Sequence, residues 1–569
     1  MTATAAQFQW NIAPFDIMRV DELAGKTGIS PLLVHLLLLR GVETSAALQE
    51  YLYPALHQLS NPFELDGMHA AVDRIVLAKE RGEAILVFGD YDVDGVAAAA
   101  ILTRGLRRFG IRRVGCDMPD RFAEGYGLTP ERVEQAKEAG VSLLITVDNG
   151  ISAHEAAKRA RSLGIDLIIT DHHAIEEELP EAVAVINPKR GRPEHPAAFI
   201  SGAGVAFKLA FALNGSPNDL DLTALGTVSD IVPLLHDNRV LVALGLQHIK
   251  KYRRVGIEEL ARAARFNLED ITARKIAFQL GPRLNAAGRL DSGHAALDLL
   301  MLENREVDCD MAVELAAKLN AANEERREIE RAIYDQAEES LDAFLTPEQR
   351  SIVVAREEWH QGVIGIVASR LQNRYWRPVI VFSKGEDACW HGSARSGPGF
   401  NMVEALNGCA DLLVRYGGHV AAAGMTLLPE NMDSFRERFE AEALRQLGAG
   451  VLQPVLNVDA TVSFSQLDSA FVRSLEKLEP YGQANPEPVF CACGIDIIPQ
   501  SVRVLKESHL KFAARQGDKQ LDVIAFRMAE RFYKESLPEK ADIVFAPQMN
   551  TYNGVTSVQL VLKDIRKAD

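Results

Sequence analysis

Between residues 84 and 188, short and almost wholly apolar runs alternate with segments of helical period. The runs are AILVFG (84–89), RRVGCDM (112–118), VSLLITVD (141–148), IDLIITD (165–171) and VAVINP (183–188). Continuous apolar strands separated by helices predict a parallel sheet covered on both faces. In TPERVEQAKEAG, Thr129 stands as N-cap with Pro130 at the first helical position. Before this region, Pro31 to Leu39 (PLLVHLLLL) and a Tyr/Pro/Asn-rich exit predict a small helical N-terminal region, 1–65. From His294 to Thr346 there is neither Gly nor Pro, and Ala, Leu, Glu, Arg and Lys dominate. That composition predicts long connecting helices over 294–346. A second α/β region follows at 347–450, opening with SIVVA and PVIVF. The remainder, 451–569, alternates with period two in VRVLK, LKFAARQ, LDVIAFRM, ADIVFAPQMN and TSVQLVLKDI, predicting antiparallel strands.

The fold class is therefore α/β: a parallel-sheet domain at 66–293, a long helical connector, a second α/β domain and a C-terminal β-barrel of the OB type. Length agrees, since 569 residues exceed the ~250–300 at which one core stops growing. With 47% hydrophobic and 25% charged residues, disordered and fibrous classes are excluded. No apolar run approaches the ~18–20 residues needed to span a bilayer. The start, MTATAAQFQW, lacks the basic-then-apolar pattern of a secretion signal. The six cysteines have no framework spacing, and the Cys491/Cys493 pair has no second pair at zinc-site distance. These features predict a cytoplasmic protein with free thiols and no membrane association. Net charge is 62 − 78 = −16, which argues against nucleic acid only if the acids are evenly spread.

They are not. AILVFG runs straight into Asp90-Tyr91-Asp92-Val93-Asp94-Gly95. In an extended segment alternate residues share a face, so Asp90, Asp92 and Asp94 are expected to converge. A surface turn would relax their repulsion into water, whereas a cluster at the mouth of an apolar sheet calls for cations. VSLLITVD ends in Asp148-Asn149-Gly150, and IDLIITD ends in Asp171-His172-His173. Carboxyl ends of parallel strands open onto the ligand crevice, so these ends form one constellation. Asp230 adds a fourth acid within the apolar stretch GTVSDIVP. Oxygen ligands with one or two imidazoles suit Mn2+ or Mg2+ better than structural zinc. Because neighbours in an extended chain point apart, His172 is expected on the metal and His173 toward substrate or a neighbouring ligand.

The segments DYDVDG, TVDNG, DHH and SDIVPL, in this order, resemble the DHH phosphoesterase superfamily. Within it the chain is similar to the RecJ family of bacterial single-strand-specific 5′→3′ DNA exonucleases, over nearly its whole length. The resemblance makes 66–293 the DHH domain, 347–450 the DHH-associated (DHHA1) domain and 451–569 the OB domain. It implies that Asp92 and Asp148 bind one Mn2+ (or Mg2+), that Asp94, Asp148, His172 and Asp230 bind a second, and that Asp90 lines the same site. It also implies an expected catalytic set of Asp90, Asp92, Asp94, Asp148, Asp171, His172, His173 and Asp230.

The second lobe carries Trp359-His360-Gln361-Gly362, Ser393-Ala394-Arg395 and Arg415-Tyr416-Gly417-Gly418-His419. Gly pairs let backbone approach a phosphate, while hydroxyl and guanidinium groups supply donors. The resemblance marks His360, Gly417, Gly418 and His419 as phosphate contacts, and Ser393 and Arg395 as the pocket for a terminal 5′-phosphate. It marks Arg121, Tyr126 and Arg289 as DNA contacts, the last in GPRLNAAGRL, read here as a Gly-punctuated loop. Phe512, Phe526 and Tyr552, with Arg503, Lys506 and Lys511, are candidates for gripping a strand on the barrel. The activity that the resemblance implies is two-metal hydrolysis of single-stranded DNA to 5′-mononucleotides in recombination and repair. It further implies a monomer partnered by single-strand-binding protein and a RecQ-type helicase. The alternative is a short-oligonucleotide phosphodiesterase or pyrophosphatase of the same superfamily, against which the extra barrel counts.

Overall fold

The computed structural model describes residues 8–119, 127–175, 178–290, 293–450, 453–534 and 537–568. They form two compact units, one of Met1–Ile12 with Glu324–Asn457, the other of Ala13–Asn323 with Val458–Asp569. In the larger unit the apolar runs become β1 (Ile85–Phe88), β2 (Val114–Asp117), β3 (Leu143–Val147), β4 (Asp166–Thr170) and β5 (Ala184–Ile186). All are parallel, in the order 2-1-3-4-5. Every residue of β3 is buried, as an unbroken apolar run requires when helices cover both faces. One covering layer is α1 (Val93–Phe109), whose residues 93–106 are all buried, packed on α2 (Gly202–Asn214) and α3 (Leu220–Ser229). Strand order reverses between β1 and β3, which places a crevice at their carboxyl ends.

GPRLNAAGRL is not a loop. It is the helix α4 (Gly281–Leu290), entered through one π-helical turn, Ile276–Leu280. The connector holds a short helix, His294–Met301, and then one of 40 residues, α5 (Arg305–Phe344), the longer of which the Gly- and Pro-free run predicts.

The smaller unit holds a mixed sheet of β6 (Ile352–Ala355), β7 (Val379–Lys384), β8 (Trp390–Arg395), β9 (Leu413–His419) and β10 (Ala422–Leu427), in the order 9-10-8-7-6. Helix α6 (Gln361–Tyr375) packs on β7 and β8.

The C-terminal strands are β11 (Phe490–Ile497), β12 (His509–Gln516), β13 (Lys519–Ala525), β14 (Lys540–Tyr552) and β15 (Val555–Lys567). They pair in the circuit 11-12-13-15-14, which returns to β11. Closure rests on two residue pairs between β11 and β12, Asp496↔Arg515 and Ile497↔Ala514. Alternation predicts antiparallel pairs throughout, but β13 and β15 run parallel. A ring with an odd number of strands must contain at least one parallel pair, and this Greek-key arrangement is the OB pattern. Phe512 lies in its core, 1% exposed, and so cannot present a stacking face, whereas Phe526 and Tyr552 are exposed. The N-terminal helices do not stand alone. Val20, Leu23, Leu33, Val34, Leu36, Leu37, Leu48 and Leu52 share one hydrophobic core with Phe464, Phe490, Phe512 and Phe545 of the C-terminal domain.

Candidate metal and phosphate sites

The acids meet at the switch point, by a route different from a single extended run. The chain leaves β1 at Gly89 and turns, and Asp92 becomes the N-cap of α1, accepting from the Asp94 and Gly95 amides at 2.9 and 3.1 Å. Asp94 is therefore already helical. Its carboxylate faces the start of α2, accepting from the Gly202 and Ala203 amides at 2.6 and 3.0 Å. Asp148 follows β3 with φ 62°, a conformation that Asp and Asn tolerate better than most residues. Asn149 ties the ends of β1 and β3 together by donating to the Phe88 and Val147 carbonyls. Asp230 caps the C-terminus of α3.

These side chains form overlapping groups. Asp90, Asp92 and Asp148 make one, Asp94, His172 and Asp230 a second, and Asp148, His172 and His173 a third; within each, potential ligand atoms lie within 4.8 Å of one another. Nε2 of His172 lies 3.1 Å from Asp148, 3.4 Å from Asp230 and 3.8 Å from Asp94, and makes no hydrogen bond among the described residues. A buried nitrogen in that position, ringed by carboxylate oxygens, suits a hard divalent cation. The two imidazoles do not diverge as an extended chain requires, because β4 has already ended at Thr170. Their ring centroids are 4.5 Å apart.

Asp171 sits outside all three groups and does different work. It accepts from the His172 and His173 amides, from the His173 ring at Nδ1 (2.7 Å), and from the Ile151 amide. Burial alone would raise its pKa, but the bonds to His173 and the backbone hold it below the usual carboxylate range. Asp171 is thus a positioning residue for the histidine pair. His173, more open than His172, is opposed by burial yet raised overall by Asp171. Burial, and then His173, depress His172 to about 3, so its ring is neutral and fit to ligate.

The acids themselves are strained toward protonation. Burial, and then Asp92, push Asp94 up to about 7. Burial, and then Asp94 and Asp92, push Asp230 up to about 9. Burial, and then Asp94, Asp92, Asp171 and Asp230, raise Asp148 well above its ordinary value. Carboxyls whose folded pKa lies above the unfolded one give stability that is lost as pH rises through the folded value. Metal-stripped protein is therefore expected to lose melting temperature as pH rises from the unfolded carboxylate value, ~4, to about 9, the folded value of Asp230, with Mn2+ restoring more at the alkaline end. Scanning calorimetry with chelator and with Mn2+ checks this; a flat profile without metal would contradict it.

Sequence reasoning passed over the small residues that make room. A Cβ on Gly202 would stand 2.5 Å from Oδ1 of Asp148. Gly202→Ala is expected to displace Asp148 and weaken Mn2+ binding ~10- to 100-fold, the range typical of residues supporting a ligand. Titration calorimetry checks it, and unchanged affinity would show that the close approach is dispensable. Lys189 was also missed. It follows β5, and burial depresses its pKa against the opposing pull of Asp171 and Asp230. The signal available was its place just beyond a strand end.

In the smaller unit, Ser393 and Arg395 lie on β8, where Arg395 donates to Ser393 Oγ at 3.1 Å and to the Ala394 carbonyl at 2.7 Å. Burial lowers the pKa of Arg395, and no carboxylate pairs with it among the described residues. The pair abuts the first turns of α6, since a Cβ on Gly365 would lie 2.8 Å from Ser393 Oγ. His360 is the N-cap of that helix, accepting from the Gly362 amide. A half-buried guanidinium, a hydroxyl and a helix start together suit a phosphate. Gly417, Gly418 and His419 lie on β9, the exposed edge strand. Arg121 and Tyr126 lie outside the described residues. Arg289 lies in α4, with its side chain outside the description.

Models of known families match three stretches: the DHH family N-terminal domain over 84–227, the DHHA1 domain over 349–444 and the RecJ OB domain over 458–564. The chain is 37% identical to the single-stranded-DNA-specific exonuclease RecJ of Bacillus subtilis, across 98% of this chain and 71% of that protein. With RecJ of Escherichia coli the identity is 35%, across 96% and 98%. The chain belongs to the RecJ family. Among solved structures, RecJ of Thermus thermophilus in complex with Mn2+ superposes with a TM-score of 0.84 at 31% identity, covering 99% of this chain and 80% of that one. The same RecJ in complex with Mg2+ gives 0.78 at 30%. The expected fold class, DHH and DHHA1 domains with a C-terminal OB domain, is that of the RecJ family.

Proposed function

We propose that this chain is a metal-dependent exonuclease that degrades single-stranded DNA 5′→3′ to 5′-mononucleotides, in DNA recombination and repair. The observation that carries it is the carboxylate and imidazole cluster at the β1/β3 switch point, in a member of a family whose relatives are named single-stranded-DNA-specific exonucleases. In this role Asp92 and Asp148 would hold one Mn2+ or Mg2+, and Asp94, Asp148, His172 and Asp230 the other, with Asp90 lining the site. When bound, paired divalent ions lower the pKa of a water and neutralise charge on the phosphoryl group and the leaving oxygen.

The remaining work falls to the chain. Asp171 orients His172 and His173. His173, whose pKa Asp171 raises, donates to the scissile phosphate. Water joins phosphorus at the first internucleotide bond as the 3′-oxygen departs. Arg395 and Ser393 hold the terminal 5′-phosphate and so set polarity, while His360, Gly417, Gly418 and His419, with Arg121, Tyr126 and Arg289, contact the backbone. In the OB domain, Phe526 and Tyr552 are exposed, as are Arg503 and Lys506, whereas Lys511 pairs with Asp522 at 2.9 Å. These groups would grip the strand further along.

No helix among the described residues is long and apolar enough to cross a membrane. The enzyme would work in the cytoplasm as a monomer, recruited by single-strand-binding protein and a RecQ-type helicase. Activity on long single strands, duplexes, dinucleotides and pyrophosphate, each with Mn2+, tests the proposal. Preference for the long single strand supports the exonuclease, and preference for dinucleotide or pyrophosphate would overturn it.

A further inference from the structure

Beside the metal cluster, two large apolar side chains point into solvent from backbones that are out of the ordinary. Ile231 directly follows Asp230, is 69% exposed, and has φ 60°, which β-branched residues rarely adopt. Its segment is held on the far side, where Asn238 donates to the Pro233 carbonyl and the Leu234 amide donates to the Gln483 carbonyl. Phe278 is 74% exposed at the middle of the π-helical turn Ile276–Leu280, a feature frequent at functional sites. Ile276 and Leu280, its flanking residues in that turn, are both fully buried, so the turn is anchored while the ring stays out.

The two lie on adjoining elements. The π turn packs on α3, the helix that ends at Asp230, and a Cβ on Gly281 would stand 2.9 Å from Ser229 Oγ. From there α4 runs to the other end of the cluster, where Asn285 Oδ1 accepts from the Val93 amide at 3.0 Å, beside Asp92. Phe278 thus stands at the Asp230 end of a helix that borders the acids. Isolated exposed apolar residues are ordinary. Two of them, on anchored irregular backbone, adjoin one end of the carboxylate and imidazole cluster.

We propose that Phe278 and Ile231 form an apolar seat for a nucleobase next to the scissile bond, with the Phe278 ring stacking on the base. This rests on the exonuclease reading above. Stacking uses a face that every base possesses, so the seat grips any sequence alike.

The test uses the full chain with Mn2+ and 5′-phosphorylated single strands, unmodified or with one abasic site at each of the first three nucleotides. Phe278→Ala is expected to lower kcat/KM on the unmodified strand ~10- to 100-fold, with metal affinity and Tm unchanged, and Phe278→Trp to restore it. An abasic site at the seated position should slow the natural enzyme by a similar factor and leave Phe278→Ala no slower still. Ile231→Ala should show the same coupling to a smaller degree. Equal rates for Phe278→Ala and the natural enzyme, or an equal loss on unmodified and abasic strands, would overturn the proposal. If the natural enzyme fails to cleave the unmodified strand, the exonuclease reading itself falls, and the seat with it.

Discussion

Asp148→Asn is expected to abolish turnover while leaving the fold intact and making the metal-stripped protein more stable. The asparagine keeps the shape and tolerates φ 62°, where alanine would add strain of its own. What disappears is the charge. Asp148 belongs to two of the three ligand groups, and its carboxylate is opposed by Asp94, Asp92, Asp171 and Asp230. Removing that charge relieves repulsion among the acids and, on the proposed function, removes the ligand that both ions would share. Residues that merely support a ligand are worth ~10- to 100-fold, so the shared ligand itself should cost at least ~10³-fold. Rates on labelled single strands, bound Mn2+ per chain and Tm with chelator check it together. Retention of more than a few per cent of activity with full Mn2+ occupancy would end the bridging role.

Arg395→Ala is expected to erase most of the preference for a 5′-phosphorylated end while sparing metal binding. The Arg395 guanidinium is half-buried, its hydrogen bonds among the described residues go to Ser393 Oγ and the Ala394 carbonyl, and no carboxylate there balances it. Such a cation is poised for an external anion, and a charge-assisted bond to a dianion is worth ~1.5–3 kcal/mol, or roughly ten- to a hundred-fold. The measurement is the ratio of kcat/KM on phosphorylated and hydroxyl-ended strands. An unchanged ratio would remove Arg395 and Ser393 from the 5′ pocket.

Much of this was legible in the chain because it is local. Apolar runs ending in acids give both the sheet and its business edge, and a Gly- and Pro-free run gives the long helix. What was not legible depends on partners far away in sequence. Asp94 is held by the Gly202 and Ala203 amides, and nothing near Asp94 announces them. The glycines of GPRLNAAGRL read as loop punctuation, yet Gly281 is there for close packing against Ser229 within a helix approach. The alternating pattern of 451–569 shows which residues of each strand share a face, but not which face is inside, so Phe512 looks like a platform and proves to be core. The same silence hides the joint core of the N-terminal helices and the C-terminal domain, because an amphipathic helix records that it needs a partner without recording which one.

The most direct test of the central claim is digestion of one single-stranded oligonucleotide labelled separately at its 5′ and 3′ ends, with chelator and with Mn2+, with products sized over time. With Mn2+ the 5′ label should appear at once as mononucleotide while the 3′ label passes through a descending ladder, and chelator should stop both. Release of the 3′ label first, internal fragments from either end, or undiminished cleavage in chelator would contradict it.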